Sequence, residues 1–519
     1  MSSYFYPAAN WHGKLFGDSF AARIATWILL LLFGTGFLFM CALQVPRLSL
    51  RDEAGFGDSY ILYDVLHFKE SGVIYRDLSQ PPYIPAAYSP LLYMLYAAPR
   101  KITTNPFFGP RLVALTSFVL CVGIAVSLVR TLIPVRFAWA WGLFIAGSMK
   151  TMELWPVQLR GDFPAIFFGL SSIRLLCAQS PWLIPLAGLC AGLPLQFKIN
   201  YLAPLAAGSL WLALQKRWKA LGIFLAAGVV SGLVPFLFFG LREPRMVSQM
   251  LSVFPPVRDI RGCLILILKV FREPVVLLAL SAMPFIIFRP WPRWRLLVIF
   301  SVFSFFLASI SAVQVGANVN YFFETLFALT PFAVLGAFRL IDWSHRRAGL
   351  ALSAVVLTVV LYALPVLFNN GGYARRYDID PRKVALLNRH FRMTEAVLGG
   401  RHILSTNPRI ALLDPHPVLV EPFLLSHLRR LGKFDPAPLL SSIRNYEFEV
   451  VDVDTELREN EKYGWRGVGR LEGDDFKVAI ETAYRPECSL FGRLVRIPRN
   501  RPPDQRLIQE LHNAGCVPE

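Results

Sequence analysis

The sequence predicts a polytopic α-helical membrane protein that carries a small α/β domain at its C-terminal end. The chain has 519 residues, of which 55% are hydrophobic and only 17% charged, and its mean hydropathy is +0.46. A soluble globular protein has about 25% charged residues, so much of this protein's surface must contact lipid. The apolar residues are gathered into long runs before residue 369, and the remainder has the composition of a globular domain.

The apolar runs predict about eleven membrane spans. The first run, 25–43, is about 19 residues long and has no clear signal-peptide cleavage motif, so we expect a first span with a cytosolic N-terminus. Several other runs are nearer 15 than 20 residues, which predicts helices that are short, tilted or buried within the bundle. The further runs are 109–130, 137–155, 163–178, 182–197, 200–215, 219–240, 272–289, 296–313, 322–339 and 348–367.

Basic residues set the predicted orientation, because they accumulate in cytosolic connections. They occupy alternate connections, which places the first loop (about 45–108) and the chain after residue 368 outside the cytosol. The clusters are Arg130 and Arg136; Lys216, Arg217 and Lys219; Arg289, Arg293 and Arg295; and Arg339, Arg346 and Arg347. One outer segment, 241–262, breaks the rule. Either the span count is off by one nearby, or its arginines meet anionic lipid headgroups. They are Arg242, Arg245, Arg258 and Arg261.

The formal net charge of +18 does not indicate a nucleic-acid partner. Residues after 368 carry roughly 23 Lys and Arg against 21 Asp and Glu, so the excess lies between the apolar runs, where it fits contacts with membrane lipids. The cysteines form no CxxC or His-rich spacing, which argues against a structural zinc site. Cys488 and Cys516 can pair if the C-terminal part lies outside the cytosol.

Two regions outside the bundle suggest a division into a membrane domain, 1–368, and an extracytoplasmic α/β domain, 369–519. In the first outer loop, Tyr88–Tyr96 is amphipathic and too short to span, so we expect it on the membrane surface. The C-terminal domain is predicted from apolar, β-rich strips. These strips are 402–405, 448–453 and 476–480.

Polar residues at membrane depth or at the outer mouth of a bundle are costly, so they are candidates for function. Asp52, Glu53 and Asp58 follow the first span, where a carboxylate can act as a general base or belong to a solvated, helix-capping loop. In the second outer turn, Asp162 can cap the next helix, act in catalysis, or do both. Arg160 offers a planar fork of donors suited to a phosphate.

Two later outer turns carry the remaining candidates. Lys198 has no acid nearby in sequence, so its ammonium either binds a lipid phosphate or snorkels to the surface. Asn320 and Glu324 lead into a span, and their four-residue spacing puts them on one helical face. All these clusters fall on one side under a single topology, which predicts one site that faces away from the cytosol.

At these residues the chain resembles the GT-C class of membrane glycosyltransferases, particularly the protein O-mannosyltransferase and aminoarabinose-transferase group. The resemblance covers about residues 20–370 and depends on the order of short motifs as well as on residue type. The motifs are the acids Asp52, Glu53 and Asp58; Ser71-Gly72; Tyr75-Arg-Asp77; Pro81-Pro82; Tyr88-Ser-Pro90; Arg160 with Asp162; and Asn320–Glu324.

The resemblance implies transfer of a sugar from a polyprenyl-phosphate donor to an acceptor hydroxyl or amine, usually with inversion. Carried onto this sequence, Asp58 is the expected base because it lies about one helix before Gly72, whereas Asp52 and Glu53 match the family's acid pair but lie further upstream. Asp162 would assist or orient the acceptor.

Other roles follow from the same resemblance. Arg160 and Lys198 would bind the donor phosphate. The pocket would be lined by Asp52, Glu53, Tyr88, Asn318, Asn320, Tyr321 and Glu324. No nucleotide-binding domain or obligatory metal is implied, although some relatives use a divalent metal. The acceptor would be a glycan, a lipid or a protein, and the compact chain favours a bacterial inner membrane.

Two other interpretations remain open. A transporter or lipid-handling protein without transferase activity would line a pathway with its intramembrane polar residues, but we find no paired inverted repeats, and the polar residues gather on one face. A catalytically silent scaffold, whose outer domain binds a partner, would tolerate changes at Asp58, Asp162 and Glu324.

Overall fold

A computed structural model of the protein describes residues 38–132, 155–251, 259–272, 294–345, 381–452 and 474–518, together with Met152 and apart from a few residues within those ranges. Apolar helices dominate the part before residue 346. Among the described residues, four segments are long and apolar enough to cross a membrane: Phe108–Val129, Trp218–Arg242, Arg295–Ala312 and Val319–Gly336. The prediction of a helical membrane protein is confirmed.

The described helices of this part follow the predicted runs. In chain order they are α1 (Asp58–Ser71), α2 (Pro90–Ala97), α3 (Phe108–Val129), α4 (Asp162–Cys177), α5 (Ile184–Gly192), α6 (Ala203–Leu214), α7 (Trp218–Arg242), α8 (Met246–Leu251), α9 (Ile260–Arg272), α10 (Arg295–Ala312) and α11 (Phe323–His345). Short 3₁₀ turns cover Pro181–Leu183, Leu193–Gln196 and Val319–Phe322. Helices α3 to α7, α10 and α11 match predicted spans. The runs 25–43, 137–155, 272–289 and 348–367 lie wholly or largely outside the described residues, so the count of eleven stays a prediction.

Two of the predicted runs form short helices, since α5 has 9 residues and α6 has 12. Helix α5 approaches α7 so closely that a Cβ on Gly192 would lie 2.0 Å from the Gly228 carbonyl oxygen. Small residues allow membrane helices to bring their backbones together and to gain van der Waals contact without a hydrophobic driving force. Glycine at this position therefore sets the distance between the two helices.

Helix α2 corrects one expectation. The amphipathic stretch is helical, but Leu92, Tyr93 and Tyr96 have no exposed surface. Its apolar side therefore packs inside the protein and not on the membrane surface. Three large side chains on one face of so short a helix are buried against the neighbouring helices α1 and α3.

The basic segment that breaks the charge rule docks on the first outer loop. Arg242 donates a hydrogen bond to a backbone carbonyl of that loop, 3.2 Å away. Arg245 pairs with Asp77 at 2.6 Å. These two arginines therefore contact protein groups of the first loop, which explains their place beside it. Arg261 lies on α9, and Arg258 is outside the described residues.

The C-terminal domain contains a mixed sheet. Its elements are α12 (Pro381–Leu398), β1 (Ile403–Ser405), β2 (Val418–Leu419), α13 (Pro422–Arg430), α14 (Ala437–Arg444), β3 (Val450–Asp452), α15 (Asp474–Ala483), β4 (Tyr484–Leu490), β5 (Arg493–Pro498), α16 (Gln505–Asn513) and β6 (Val517–Pro518). The strand order is β2-β1-β3-β5-β4-β6, with β1 parallel to β2 and β3 and the remaining pairs antiparallel. Cys488 and Cys516 form a disulfide. The predicted boundary near residue 368 lies outside the described residues.

One predicted strand is a helix. The apolar strip 476–480 belongs to α15, where Phe476, Ala479, Ile480 and Ala483 are all at most 3% exposed. Their spacing of three, four and seven residues is helical, and a short apolar run does not distinguish a strand from a helix until its flanks are included.

The domain packs on the first outer loop through main-chain and side-chain contacts. Tyr83 pairs with the edge of the sheet, because its N–H donates to Leu419 at 2.9 Å and its carbonyl accepts from Glu421 at 3.1 Å. The Tyr60 hydroxyl donates to the Thr406 carbonyl at 3.1 Å. The loop that carries the first acidic cluster and the C-terminal domain therefore lie on the same side of the bundle.

Candidate active site

Asp162 is the centre of a buried polar cluster. Its Oδ1 accepts hydrogen bonds from Lys198 Nζ at 2.8 Å and from the Tyr201 hydroxyl at 2.7 Å. The Asn320 side-chain amide lies 3.1 and 3.0 Å from the two carboxylate oxygens. Asp162 is 1% exposed. Three turns that are separate in sequence therefore meet at one carboxylate.

The backbone around Asp162 explains this convergence. Asp162 is the first residue of α4, and Gly161 occupies the cap position without a side-chain bond. The predicted capping role for Asp162 is therefore wrong, because its side chain points to the next outer turn. A Cβ on Gly161 would lie 2.5 Å from the Phe197 carbonyl oxygen. Only glycine allows the two turns to approach so closely.

Lys198 is paired, which corrects the expectation of an unpartnered ammonium. It forms an ion pair with Asp162 at 2.8 Å, and its Nζ lies 4.4 Å from the centre of the Tyr321 ring. Burial alone would lower the pKa of Lys198, but Asp162 and the phenols of Tyr321 and Tyr88 raise the pKa above its usual value. The side chain keeps 11% of its surface exposed. Lys198 therefore stays charged near the surface of the cluster.

Arg160 lies beside the cluster and is half-buried. Its Nη1 donates to the Tyr88 hydroxyl at 2.9 Å, and its backbone carbonyl accepts from the Tyr96 hydroxyl at 2.8 Å. Its guanidinium lies next to Gly57, the residue before Asp58. Burial alone would lower the pKa of Arg160, but Tyr88, Asp58 and Asp162 raise it. This arginine joins the first loop to the second outer turn.

Asp58 is fully buried beneath that turn. Its Oδ1 accepts a hydrogen bond from the Leu159 N–H at 3.1 Å, and its Oδ2 lies 3.9 Å from Arg111 Nη2. Within the described part of the chain, Oδ2 has no hydrogen-bond partner. Burial raises the pKa of the Asp58 carboxyl, while Arg111 and Arg160 act in the opposite direction. One carboxylate oxygen thus holds the turn, and the other faces Arg111 without a hydrogen bond.

Two residues of the site had no role assigned to them from the sequence. Arg111 is 0% exposed and donates to the carbonyls of Arg47 and Asp52, which fixes the chain that leads to Asp58. A single arginine at the start of the apolar run 109–130 was the signal for it. Tyr201 belongs to the same turn as Lys198, and its position three residues after that lysine was the signal for it.

Glu324 lies deeper than the Asp162 cluster. It is 4% exposed, and its Oε1 has no hydrogen-bond partner among the residues that the structure describes. A Cβ on Gly169 of α4 would lie 3.1 Å from this oxygen. Burial and Asp162 raise the pKa of the Tyr201 hydroxyl, and Glu324 contributes to the same shift. The residue therefore borders the cluster from the side of α11.

Three other candidates point elsewhere. Glu53 Oε1 accepts from the N–H groups of Gly57 and Ser59, at 3.0 and 3.1 Å, and so holds the start of α1. Asn318 accepts from the N–H of the following residue at 2.8 Å and caps the 3₁₀ turn before α11. Asp52 lines a cavity of about 70 Å³ that is otherwise bordered by residues of the C-terminal domain. They support the fold around the cluster.

The resulting arrangement has two layers. Tyr88, Arg160, Lys198 and Tyr321 are half-buried, whereas the carboxylates of Asp58 and Asp162 are buried behind them. Two cations and two phenols that share a partly exposed surface are suited to bind an anion.

The same arrangement does not suit a divalent metal. Each of the two central carboxylates faces a cation, since Asp162 pairs with Lys198 and Asp58 lies by Arg111. No group of three His, Cys, Asp or Glu side chains among the described residues is placed to hold a metal ion. We therefore assign no step to a metal.

Comparisons with known proteins place the fold. No family model matches the chain, and no curated protein matches it by sequence. Among solved structures, ArnT from Cupriavidus metallidurans bound to undecaprenyl phosphate aligns at 12% identity with a TM-score of 0.58, over 91% of this chain and 97% of that one. ArnT in the apo state aligns at 13% identity with a TM-score of 0.60, over 92% and 98%.

The oligosaccharyltransferase of Archaeoglobus fulgidus, tethered to an acceptor peptide, aligns at 11% identity with a TM-score of 0.50, over 89% of this chain and 72% of that one. ArnT is an aminoarabinose transferase of the GT-C class. The alignments with ArnT confirm the predicted resemblance at the level of architecture: the chain has an ArnT-like GT-C fold over about nine tenths of its length.

Proposed function

We propose that the protein is a membrane glycosyltransferase that moves a sugar from a polyprenyl-phosphate donor to an acceptor hydroxyl or amine. The observation that carries this proposal is the half-buried pair Arg160 and Lys198, backed by the buried carboxylates Asp58 and Asp162. The ArnT-like fold supports it, because one solved ArnT structure contains undecaprenyl phosphate.

In the proposed reaction, Arg160 and Lys198 bind the donor phosphate. The acceptor oxygen or nitrogen attacks the anomeric carbon from the side opposite the phosphate, so the configuration inverts. The bond between that carbon and the phosphate oxygen breaks, and its electron pair stays on the phosphate. Two fixed cations stabilise this developing charge in a site of low dielectric.

Asp58 is the proposed base. Its carboxylate would take the proton that the acceptor loses, and burial favours this role because a raised pKa makes the carboxylate a stronger base. Asp58 is closed from solvent by the turn at Leu159, so we expect that turn to move when substrates bind. Asp162 has the other proposed role: it holds Lys198, Tyr201 and Asn320 in place.

The proposed site faces away from the cytosol. It would use a lipid-linked donor in the outer leaflet and a glycan, lipid or protein acceptor. The Cys488–Cys516 disulfide supports this side for the C-terminal domain, because disulfides persist in oxidising compartments. The compact chain favours a bacterial inner membrane, and the charge pattern of the connections favours an N-terminus in the cytosol.

Binding of undecaprenyl phosphate by the purified full-length chain tests the phosphate site. Arg160→Gln and Lys198→Gln should each weaken binding about 10- to 100-fold, because a hydrogen bond to a charged group contributes about 1.5–3 kcal/mol. Arg245→Gln is the matched control, since its exposed pair with Asp77 lies outside the cluster. Equal binding by all four proteins would refute the phosphate site.

Transfer from radiolabelled polyprenyl-phosphate sugars tests the reaction itself. Asp58→Asn should still bind undecaprenyl phosphate but should lose transfer to a panel of hydroxyl and amine acceptors. A transporter or lipid-handling protein would instead move the labelled lipid across a proteoliposome membrane without forming a glycosylated product. That result, with Asp58→Asn still active in translocation, would overturn the enzyme proposal.

A further inference from the structure

Helix α9 has an apolar surface that no described part of the protein covers. Cys263 and Val270 are buried against the bundle, whereas Ile260, Leu264 and Leu268 are 67%, 57% and 70% exposed. Side chains spaced by four residues lie on one face of a helix, so these three form a continuous stripe. A stripe of this kind is stable only against an apolar medium.

The position of α9 identifies that medium. The backbone N–H of Asp259 donates to the Val313 carbonyl at 2.8 Å, so α9 begins at the end of α10. Further along, Phe271 packs on Phe305 with ring centroids 5.8 Å apart. At about 1.5 Å per residue, α9 advances about 18 Å while α10 advances about 12 Å. Helix α9 therefore runs obliquely along a spanning helix that also exposes an apolar side chain, Ile310.

Two basic residues stand next to the stripe. Arg261 and Lys269 are exposed, and neither forms an ion pair with any residue that the structure describes. The carboxylate of Asp259 accepts a hydrogen bond from the N–H of Gly262 at 2.7 Å. A cation beside an exposed apolar stripe, with no ion-pair partner among the described residues, favours contact with an anion, and phospholipid phosphates are the anions that a membrane offers.

We propose that α9 binds anionic phospholipids. The stripe of Ile260, Leu264 and Leu268 inserts among acyl chains, and Arg261 and Lys269 hold the headgroup phosphates. Helix α9 adjoins the candidate active site through its last turn, because Phe271 also packs on Phe322 of the 3₁₀ turn with ring centroids 5.8 Å apart. A phospholipid bound here would lie beside the turn that carries Asn320 and Tyr321, and the proposal does not depend on the enzymatic activity.

Lipid binding by the full-length protein in detergent micelles provides the test. The probes are fluorescent phosphatidylglycerol, phosphatidylcholine and, as a third arm, undecaprenyl phosphate. Wild type should prefer phosphatidylglycerol, and the double variant R261Q/K269Q should lose about 25-fold in affinity for it, at about fivefold for each basic residue near a membrane surface. Lys269→Arg should retain the preference, which separates loss of charge from misfolding.

Lys433→Gln is the matched control, because it removes the same charge from an exposed position in the C-terminal domain. Its affinity for phosphatidylglycerol should equal that of wild type. Equal binding of the charged and neutral phospholipids by wild type would overturn the proposal. So would a double variant that loses only undecaprenyl phosphate, because the surface would then serve the isoprenoid lipid.

Discussion

Replacing Asp162 with asparagine should destabilise the protein through its effect on Lys198. The two side chains are 1% and 11% exposed and form an ion pair at 2.8 Å. Removing one partner leaves the other charge buried, which costs about 3–5 kcal/mol in measured cases. Asparagine has nearly the same shape, but its amide group would face the amide of Asn320, so that a donor meets a donor. We expect a loss of about 4 kcal/mol in the free energy of unfolding.

A double-mutant cycle measures the part that belongs to the pair. The proteins are wild type, Asp162→Asn, Lys198→Met and the double variant, unfolded with sodium dodecyl sulfate in mixed micelles and followed by far-ultraviolet circular dichroism. Lys198→Met keeps much of the apolar stem and removes the charge. The double variant should be more stable than the sum of the single losses predicts, with a coupling energy of about 2 kcal/mol or more, because it leaves no unpaired charge.

Additive losses would contradict this reasoning, and so would an Asp162→Asn variant within about 1 kcal/mol of wild type. Either result would mean that water reaches Lys198 and that the pair is no stronger than one on the protein surface. Arg245→Gln breaks such a surface pair, whose side chains are 55% and 44% exposed, and it provides the comparison.

Two further predictions concern the C-terminal domain and the proposed base. Replacing Cys488 and Cys516 by serine should lower the free energy of unfolding of the domain by about 3–4 kcal/mol, because the disulfide closes a loop with a sequence separation of 28. Differential scanning calorimetry would measure this loss, and an unchanged Tm would contradict it. Lowering the pH should reduce transfer activity as Asp58, whose pKa burial raises, becomes protonated. The Asp58→Glu variant should show the same loss of transfer activity at low pH. If an Asp58→Asn variant were active and still lost activity at low pH, Asp58 would be excluded as the base.

Much of the membrane part follows from the sequence because lipid imposes a simple rule on it. Backbone N–H and C=O groups in the hydrocarbon region must form hydrogen bonds within the segment itself, so a long apolar run is expected to be a helix. This is why runs such as 109–130 and 296–313 match α3 and α10 within one residue at each end. The strip 476–480 had no such constraint. Its helical form depends on packing of Phe476 and Ile480 within the C-terminal domain.

Part of the candidate site could be predicted from the sequence for a different reason. Polar residues beside apolar runs are easily recognised, and Asp162, Lys198 and Asn320 were therefore predicted to belong to one site. The hydrogen bonds between these side chains could not be predicted, because residues 36 and 158 positions apart in sequence can lie at any distance in the fold. Arg111 was missed because its hydrogen bonds go to backbone carbonyls, which cannot be recognised from residue type.

The pairing of Lys198 with Asp162 supports Asp58 as the better base of the two carboxylates. Asp162 already accepts hydrogen bonds from Lys198, Tyr201 and Asn320, and these bonds stabilise its ionised form. Because its ionised form is stabilised, this carboxylate has a low affinity for a proton and is a weak base. Lysine has three donors and uses one on Asp162, so the others remain able to contact a phosphate without any movement of the side chain. Preorganised cations of this kind stabilise developing charge at no reorganisation cost, which is why Asp162 fits an orienting role and leaves proton transfer to Asp58.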